Sequence, residues 1–121
     1  MRFLDLEALI IVADTAVGGQ ALVRDAGLLS SALARPQAAF GGQDAYLTID
    51  EKAAALLHSL VKDRALVDGN KRLGWLTTYT FYALNGHDLQ APDDAAYDLV
   101  IAVAESRIDV PEIAVQLKHW R

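Results

Sequence analysis

Apolar residues recur along most of the chain at the spacing of amphipathic helices, whereas strand patterns are scarce. A first helix is predicted from Leu4 to Ala16, with Gly18-Gly19 ending it. Asp25 is expected to cap a second helix from Ala26 to Arg35. Pro36 would stop that helix, since a residue before proline avoids the helical conformation.

The middle of the chain predicts the two longest helices. Thr48 followed three residues later by Glu51 is a capping-box pattern, and the helix that it opens should run to about Leu66. The other long helix should begin near Gly69 or Asn70 and end at Asn85-Gly86. It is apolar nearly all round, which indicates a central, buried position. In the helix that begins after Thr48, one face carries Ala53, Leu57, Leu60, Val61 and Arg64.

The remaining segments complete an all-α pattern. Residues 37–43 are predicted to be a loop, with Gly41-Gly42 as its flexible point. Pro92 should begin a helix through Ala104, and Asp109 should cap a last one that reaches about Lys118. The 121 residues fit one domain over residues 1–121, a compact bundle of five or six helices.

Composition narrows the class of protein. There is no cysteine, which excludes disulfides and thiolate metal sites. No apolar run is long enough for a membrane span and no signal pattern appears, so we expect a cytoplasmic protein without membrane contact. The net charge of −5 argues against broad nucleic-acid binding. Four cations nevertheless fall within eleven residues, which indicates a local anion site: Lys62, Arg64, Lys71 and Arg72.

The turn between the two long helices concentrates the candidate chemistry. Gly69 lets the backbone approach a ligand, and Asn70 can donate or accept a hydrogen bond. Lys71 and Arg72 add charge at a helix start, where free N–H groups already favour phosphate. Asp68 would be repelled by phosphate unless a cation intervenes, which suggests Mg²⁺. Asp-Gly is also an ordinary helix start and Lys-Arg an ordinary solvated pair, so the pattern alone leaves both interpretations open.

The stretch Arg64-Ala65-Leu66-Val67-Asp68-Gly69-Asn70-Lys71-Arg72 resembles the signature of the Fic/Doc family. That signature is a His, any residue, a Phe, any residue, an acid, a small residue, then Asn-Lys-Arg in the Doc toxin branch. AMP-transferring Fic proteins usually carry Gly where this chain has Lys71. Further blocks look like the family in the same order: residues 25–29, 31–36, 40–42, 51–60 and 84–86.

The resemblance implies a function as well as an all-helical fold. Doc toxins use ATP with Mg²⁺ to phosphorylate translation elongation factor Tu, which stalls translation, and a cognate antitoxin silences them. By resemblance, Asp68 would hold Mg²⁺, and Gly69, Asn70, Lys71 and Arg72 would cradle phosphates. Arg72 would also steady the charge that develops during transfer.

Arg64 departs from the family at its catalytic His. The family base takes a proton from the target hydroxyl, whereas arginine stays protonated and cannot accept one. Asp63 is a poor substitute, because neighbours on a helix point about 100° apart. Leu66 replaces the signature Phe and should keep the packing. Arg64 is therefore either an inactivating replacement, which we favour, or a further phosphate clamp.

Three functions remain in competition. The first is a Doc-type phosphotransferase that is impaired by Arg64. The second is a Fic-type AMP transferase, against which Lys71 speaks. The third is a non-catalytic module that docks an antitoxin or acts in transcriptional co-repression.

Overall fold

Six α-helices make up most of the protein, as the apolar spacing predicted. The computed structural model describes residues 1–121. Its helices are α1 (Leu6–Val17), α2 (Ala26–Ala34), α3 (Ile49–Asp63), α4 (Asn70–Leu84), α5 (Asp93–Ala104) and α6 (Val110–Trp120). A 3-10 turn (Arg35–Gln37) and a small antiparallel hairpin of β1 (Ala39–Phe40) and β2 (Gln43–Asp44) lie between α2 and α3. The all-α prediction is confirmed, and no helix is both long and apolar enough to cross a bilayer.

Side-chain caps mark where four of the helices begin, and the predicted cap of α6 is among them: Asp109 accepts from the Val110 N–H at 2.7 Å. The Asp5 carboxylate accepts a hydrogen bond from the Ala8 N–H at 2.8 Å, so α1 starts two residues later than predicted. The Thr48 hydroxyl accepts from the Glu51 N–H at 3.1 Å, as the capping-box pattern predicted. Asp25 caps α2 in the same way, through the Leu28 N–H.

Helix α3 is the centre of the fold. It contacts α2, α4, α5 and α6, and its segment Ala53–Leu57 is almost fully buried. Small side chains let α4 come close: a Cβ at Gly74 would lie 2.7 Å from Cγ2 of Val61. Helix α4 packs against α1, α3 and α5, but the prediction that it is buried was only partly right, because it turns part of its surface to solvent and leaves Tyr79 exposed.

Two further differences from the prediction lie on either side of α3. Helix α3 ends at Asp63 rather than near Leu66, and Arg64 takes the left-handed conformation at φ 55°. The helix stops there because Ala65 and Leu66 pair with the backbone of residues 23–25 instead of continuing the helical ladder. The predicted loop 37–43 contains the end of the 3-10 turn, β1 and the first residue of β2.

A buried carboxylate joins the start of α3 to α4 and α6. Asp50 is 4% exposed and accepts a 2.7 Å hydrogen bond from the Tyr82 hydroxyl. The Arg121 guanidinium donates two more in a fork, Nε at 2.8 Å and Nη2 at 3.0 Å. Burial alone would raise the pKa of Asp50, but these hydrogen bonds outweigh it and hold that pKa below its usual value.

Arg121→Ala should lower the free energy of unfolding by roughly 1–3 kcal/mol at neutral pH, because Asp50 would keep only Tyr82 as a partner. The lowered pKa contributes stability that is fully present above about pH 4 and is lost as the pH falls through the native value. The free energy of unfolding of Arg121→Ala should therefore fall less steeply with decreasing pH than that of the parent protein. Urea unfolding between pH 3 and 7 measures both effects.

The matched control is Arg107→Ala, which removes an exposed pair with Glu105. Exposed pairs contribute about 0–1 kcal/mol, so its stability should stay close to that of the parent. Equal losses in the two variants would contradict the assignment of the Asp50 network.

Candidate functional site

The turn from α3 to α4 forms one wall of an open cleft of about 960 Å³. All the residues predicted to act together line it: Arg64, Asp68, Gly69, Asn70, Lys71 and Arg72. Val17 at the end of α1 and Ala104 at the end of α5 also line the cleft. Asp63 is not among the lining residues.

Gly69 allows α4 to start inside this turn. Its φ of 89° is left-handed, and a Cβ there would lie 2.7 Å from Cγ1 of Val17. The first hydrogen bond of α4 runs from Leu73 N–H to the Gly69 carbonyl, at 2.9 Å. No side chain caps the helix, so the N–H groups of Asn70, Lys71 and Arg72 have no partner within the protein. These three N–H groups and the positive end of the helix dipole suit an anion.

The Asn70 side chain holds the turn in shape. Its Oδ1 accepts from the Leu66 N–H at 2.9 Å, and its Nδ2 donates to the Leu66 carbonyl at 3.0 Å. Leu66 itself is buried in the core, as expected for a residue in place of the signature Phe. The side-chain amide of Asn70 is thus bonded to the backbone of Leu66. Only the main-chain N–H of Asn70 remains free to bind a phosphate.

The side chains around the cleft are strongly basic. Arg64, Lys71 and Arg72 are exposed, and their charged groups form no ion pair or hydrogen bond in the protein. Arg24 and Lys62 bring the cations to five, against the single carboxylate of Asp68. A cleft with this charge on a protein of net charge −5 attracts anions selectively.

Asp68 is the only acidic residue that could hold a metal in the cleft. Its Oδ1 accepts from the Gly69 N–H at 2.8 Å, and the carboxylate is otherwise open to solvent. No group of three or more His, Asp or Glu side chains forms a protein-only metal site. Mg²⁺ is commonly held by one or two carboxylates together with substrate phosphates and water, so this donor set fits it.

Sequence reasoning missed the segment that supports the turn from outside. The Arg24 N–H donates to the Ala65 carbonyl at 2.7 Å, and the Val67 N–H donates to the Leu22 carbonyl at 2.9 Å. The Arg24 guanidinium also contacts the turn. Residues 21–23 belong to no helix or strand, and an isolated bridge pairs Val23 with Leu66.

Comparison with known proteins agrees with the signature. The model of the Fic/DOC family matches residues 3–82 of the chain. The chain belongs to the Fic/Doc family. It is also 47% identical over 118 residues to a protein named Toxin Doc from Mycolicibacterium smegmatis, with 96% of this chain and 91% of that protein covered. The family predicted from the turn and its flanking blocks is therefore confirmed.

Gly69→Ala should destabilise this Fic/Doc protein more than Gly86→Ala does. Both glycines have left-handed φ, 89° and 82°, so each change carries a backbone cost of about 1–2 kcal/mol. Only position 69 adds an overlap with Val17, which should contribute roughly 1–3 kcal/mol more. Urea unfolding of the two variants measures the difference.

Val17→Ala in the Gly69→Ala background provides the control for the overlap. It should recover part of the extra loss by removing the Cγ atom that the new Cβ would meet. No recovery, or equal losses at positions 69 and 86, would show that the contact does not restrict the turn.

Proposed function

We propose that this protein is the toxin of a toxin–antitoxin pair and that its cleft binds ATP with Mg²⁺ for phosphoryl transfer to a protein hydroxyl. The observation that carries the proposal is the start of α4, where three free N–H groups, unpaired cations and one carboxylate line the same cleft. The similarity to a protein named Toxin Doc supports the toxin assignment. By the same resemblance, the target is translation elongation factor Tu and a cognate antitoxin silences the toxin.

Each residue of the turn has a distinct part in this proposal. The N–H groups of residues 70–72 bind phosphate oxygens, and Lys71 and Arg72 neutralise the charge on the transferred group. Asp68 would hold Mg²⁺, which would supply a Lewis acid that withdraws negative charge from the phosphate. Asn70 keeps the turn rigid through Leu66, so these donors are already positioned when the nucleotide arrives.

Lys71 favours phosphoryl transfer over AMP transfer within the family. AMP-transferring Fic proteins usually carry Gly at this position, and the Lys71 side chain is exposed without an internal partner. AMP transfer remains the second candidate, and the position of a radioactive label on ATP separates the two.

Arg64 leaves the proposed reaction without its base. The residue lies at the end of α3 and lines the cleft, at the position of the family His. A guanidinium cannot accept the proton of the target hydroxyl, and a positioned base contributes typically about 10²–10⁴-fold to rate. The left-handed backbone at this position also suits His better than Arg, because His is enriched there among non-glycine residues.

Arg64→His should restore growth arrest and protein labelling in cells and extracts that lack antitoxin. Transfer should rise by about 10²–10⁴-fold, with label from the γ-phosphate of ATP and none from the α-phosphate. Arg64→Gln is the matched control, since it removes the cation without supplying a base. Label from the α-phosphate would support AMP transfer instead.

The remaining outcomes separate the third candidate. Equal effects of this protein and its Arg64→His version on growth, with no label on any protein, would favour a non-catalytic module that docks an antitoxin. Adding Asp68→Asn to the Arg64→His version should abolish labelling if the carboxylate holds the metal.

The second interpretation of Arg64, a further phosphate clamp, rests on its unpaired guanidinium beside other cleft cations. A clamp should let this protein bind ATP in EDTA at least about tenfold more tightly than its Arg64→His and Arg64→Gln versions do. Calorimetric titration with and without Mg²⁺ measures this. Equal affinities in EDTA would show that Arg64 is not a phosphate clamp, and only its interpretation as an inactivating replacement would remain.

A further inference from the structure

Helix α3 ends without the hydrogen bonds that usually close a left-handed turn. Two non-glycine residues have positive φ, Arg64 at 55° and Ser106 at 59°. After Ser106 the turn closes itself, because the N–H groups of Ser106 and Arg107 donate to the carbonyls of Val103 and Ala102. The N–H groups of Arg64 and Ala65 make no such bond, so the end of α3 needs support from elsewhere.

The Arg24 side chain supplies that support. Its Nε and Nη2 donate to the Arg64 carbonyl at 2.9 and 2.5 Å, and Nη2 also donates to the Asp63 carbonyl at 3.1 Å. A cation at the C-terminal end of a helix meets the negative end of its dipole and the carbonyls that have no partner. The same residue adds its N–H to the Ala65 carbonyl, so one residue fixes three successive peptide units.

We propose that Arg24 is a positioning residue for position 64, whose left-handed backbone it fixes so that this side chain enters the cleft. The inference rests on the proposed function only in that position 64 carries the base in an active version. Arg24 acts on the backbone at the start of the signature, whereas Asn70 and Gly69 hold the part that binds phosphate. Removing the Arg24 side chain should therefore release residue 64 and leave the start of α4 in place.

The kinetic test uses the Arg64→His version with Arg24→Ala and Arg24→Lys. Misplacement of a catalytic group by about 1 Å can cost roughly 100-fold in rate, so Arg24→Ala should lower kcat by that order while KM for ATP stays within about twofold. Arg24→Lys keeps the charge and can reach one carbonyl, so it should recover part of kcat. Arg107→Ala is the matched control and should change neither constant, because the turn at Ser106 is closed by backbone bonds.

A second measurement is independent of activity. Backbone chemical shifts of residue 64 report its left-handed conformation in this protein as it stands, with Arg64 in place. Arg24→Ala should move these shifts toward the right-handed or extended range and speed amide exchange at Val67, whereas Leu73, at the start of α4, should keep its protection.

Each outcome decides between the alternatives. Unchanged shifts at residue 64, or an unchanged kcat, would overturn the inference, as would a rise in KM equal to the fall in kcat, which would mark Arg24 as a phosphate ligand. If Arg24→Ala fails to fold, Arg24→Lys gives the same comparison. If the Arg64→His version labels nothing, the proposed function fails, but the shifts of residue 64 still test the role of Arg24.

Discussion

The chain reversal between α3 and α4 depends on hydrogen bonds that lie outside the helical ladders of both helices. On one side, residues 22–25 bond to the backbone of residues 63–67. On the other, the Asn70 amide bonds to both polar groups of Leu66. A segment of extended backbone is thereby fixed within a helical protein, and every residue of the cleft wall takes its place from it. The loop is positioned by the helices, but its shape is determined by this local network.

Charge is distributed so that the cleft differs from the rest of the protein. Acidic residues exceed basic ones by five over the whole sequence, yet five cations meet one carboxylate at the cleft. The three cations of the signature have no internal partners, so binding an anion would break no ion pair. An acidic surface elsewhere disfavours long polyanions such as nucleic acid, and a compact phosphate ligand avoids that repulsion.

The sequence was sufficient to predict the elements whose determinants are local. The Thr48–Glu51 pair, the glycine at position 69 and the six apolar segments each specify structure within a few residues. The end of α3 could not be predicted in this way. Residues 64–66 continue the helical pattern, and they leave it because groups some 40 residues away compete for two of their carbonyls. The Arg24 guanidinium bonds to the Arg64 carbonyl, and the backbone N–H groups of Arg24 and Asp25 bond to that of Ala65. Arg24 was missed for the same reason, since its partners are main-chain atoms and carry no sequence signal.

The candidate site shows the same division. The signature brought together six residues that do line one cleft, because the turn and the first helical turn keep neighbours in sequence close in space. It also placed Asn70 among the residues that cradle phosphate, and the structure bonds its side-chain amide to Leu66, which leaves its backbone N–H for a ligand. The folded backbone determines which polar groups remain free for a ligand. A pattern of residue types alone does not predict this.

Gly74 shows how far the constraints on the site extend beyond it. At this residue a Cβ would come within 2.7 Å of Val61 and 3.2 Å of Leu57, so the separation between α3 and α4 is set by a missing side chain. Val61 itself lines the cleft. The width of the opening between the two helices therefore depends on a buried position outside the lining of the cleft, where any added side chain would force α3 and α4 to shift.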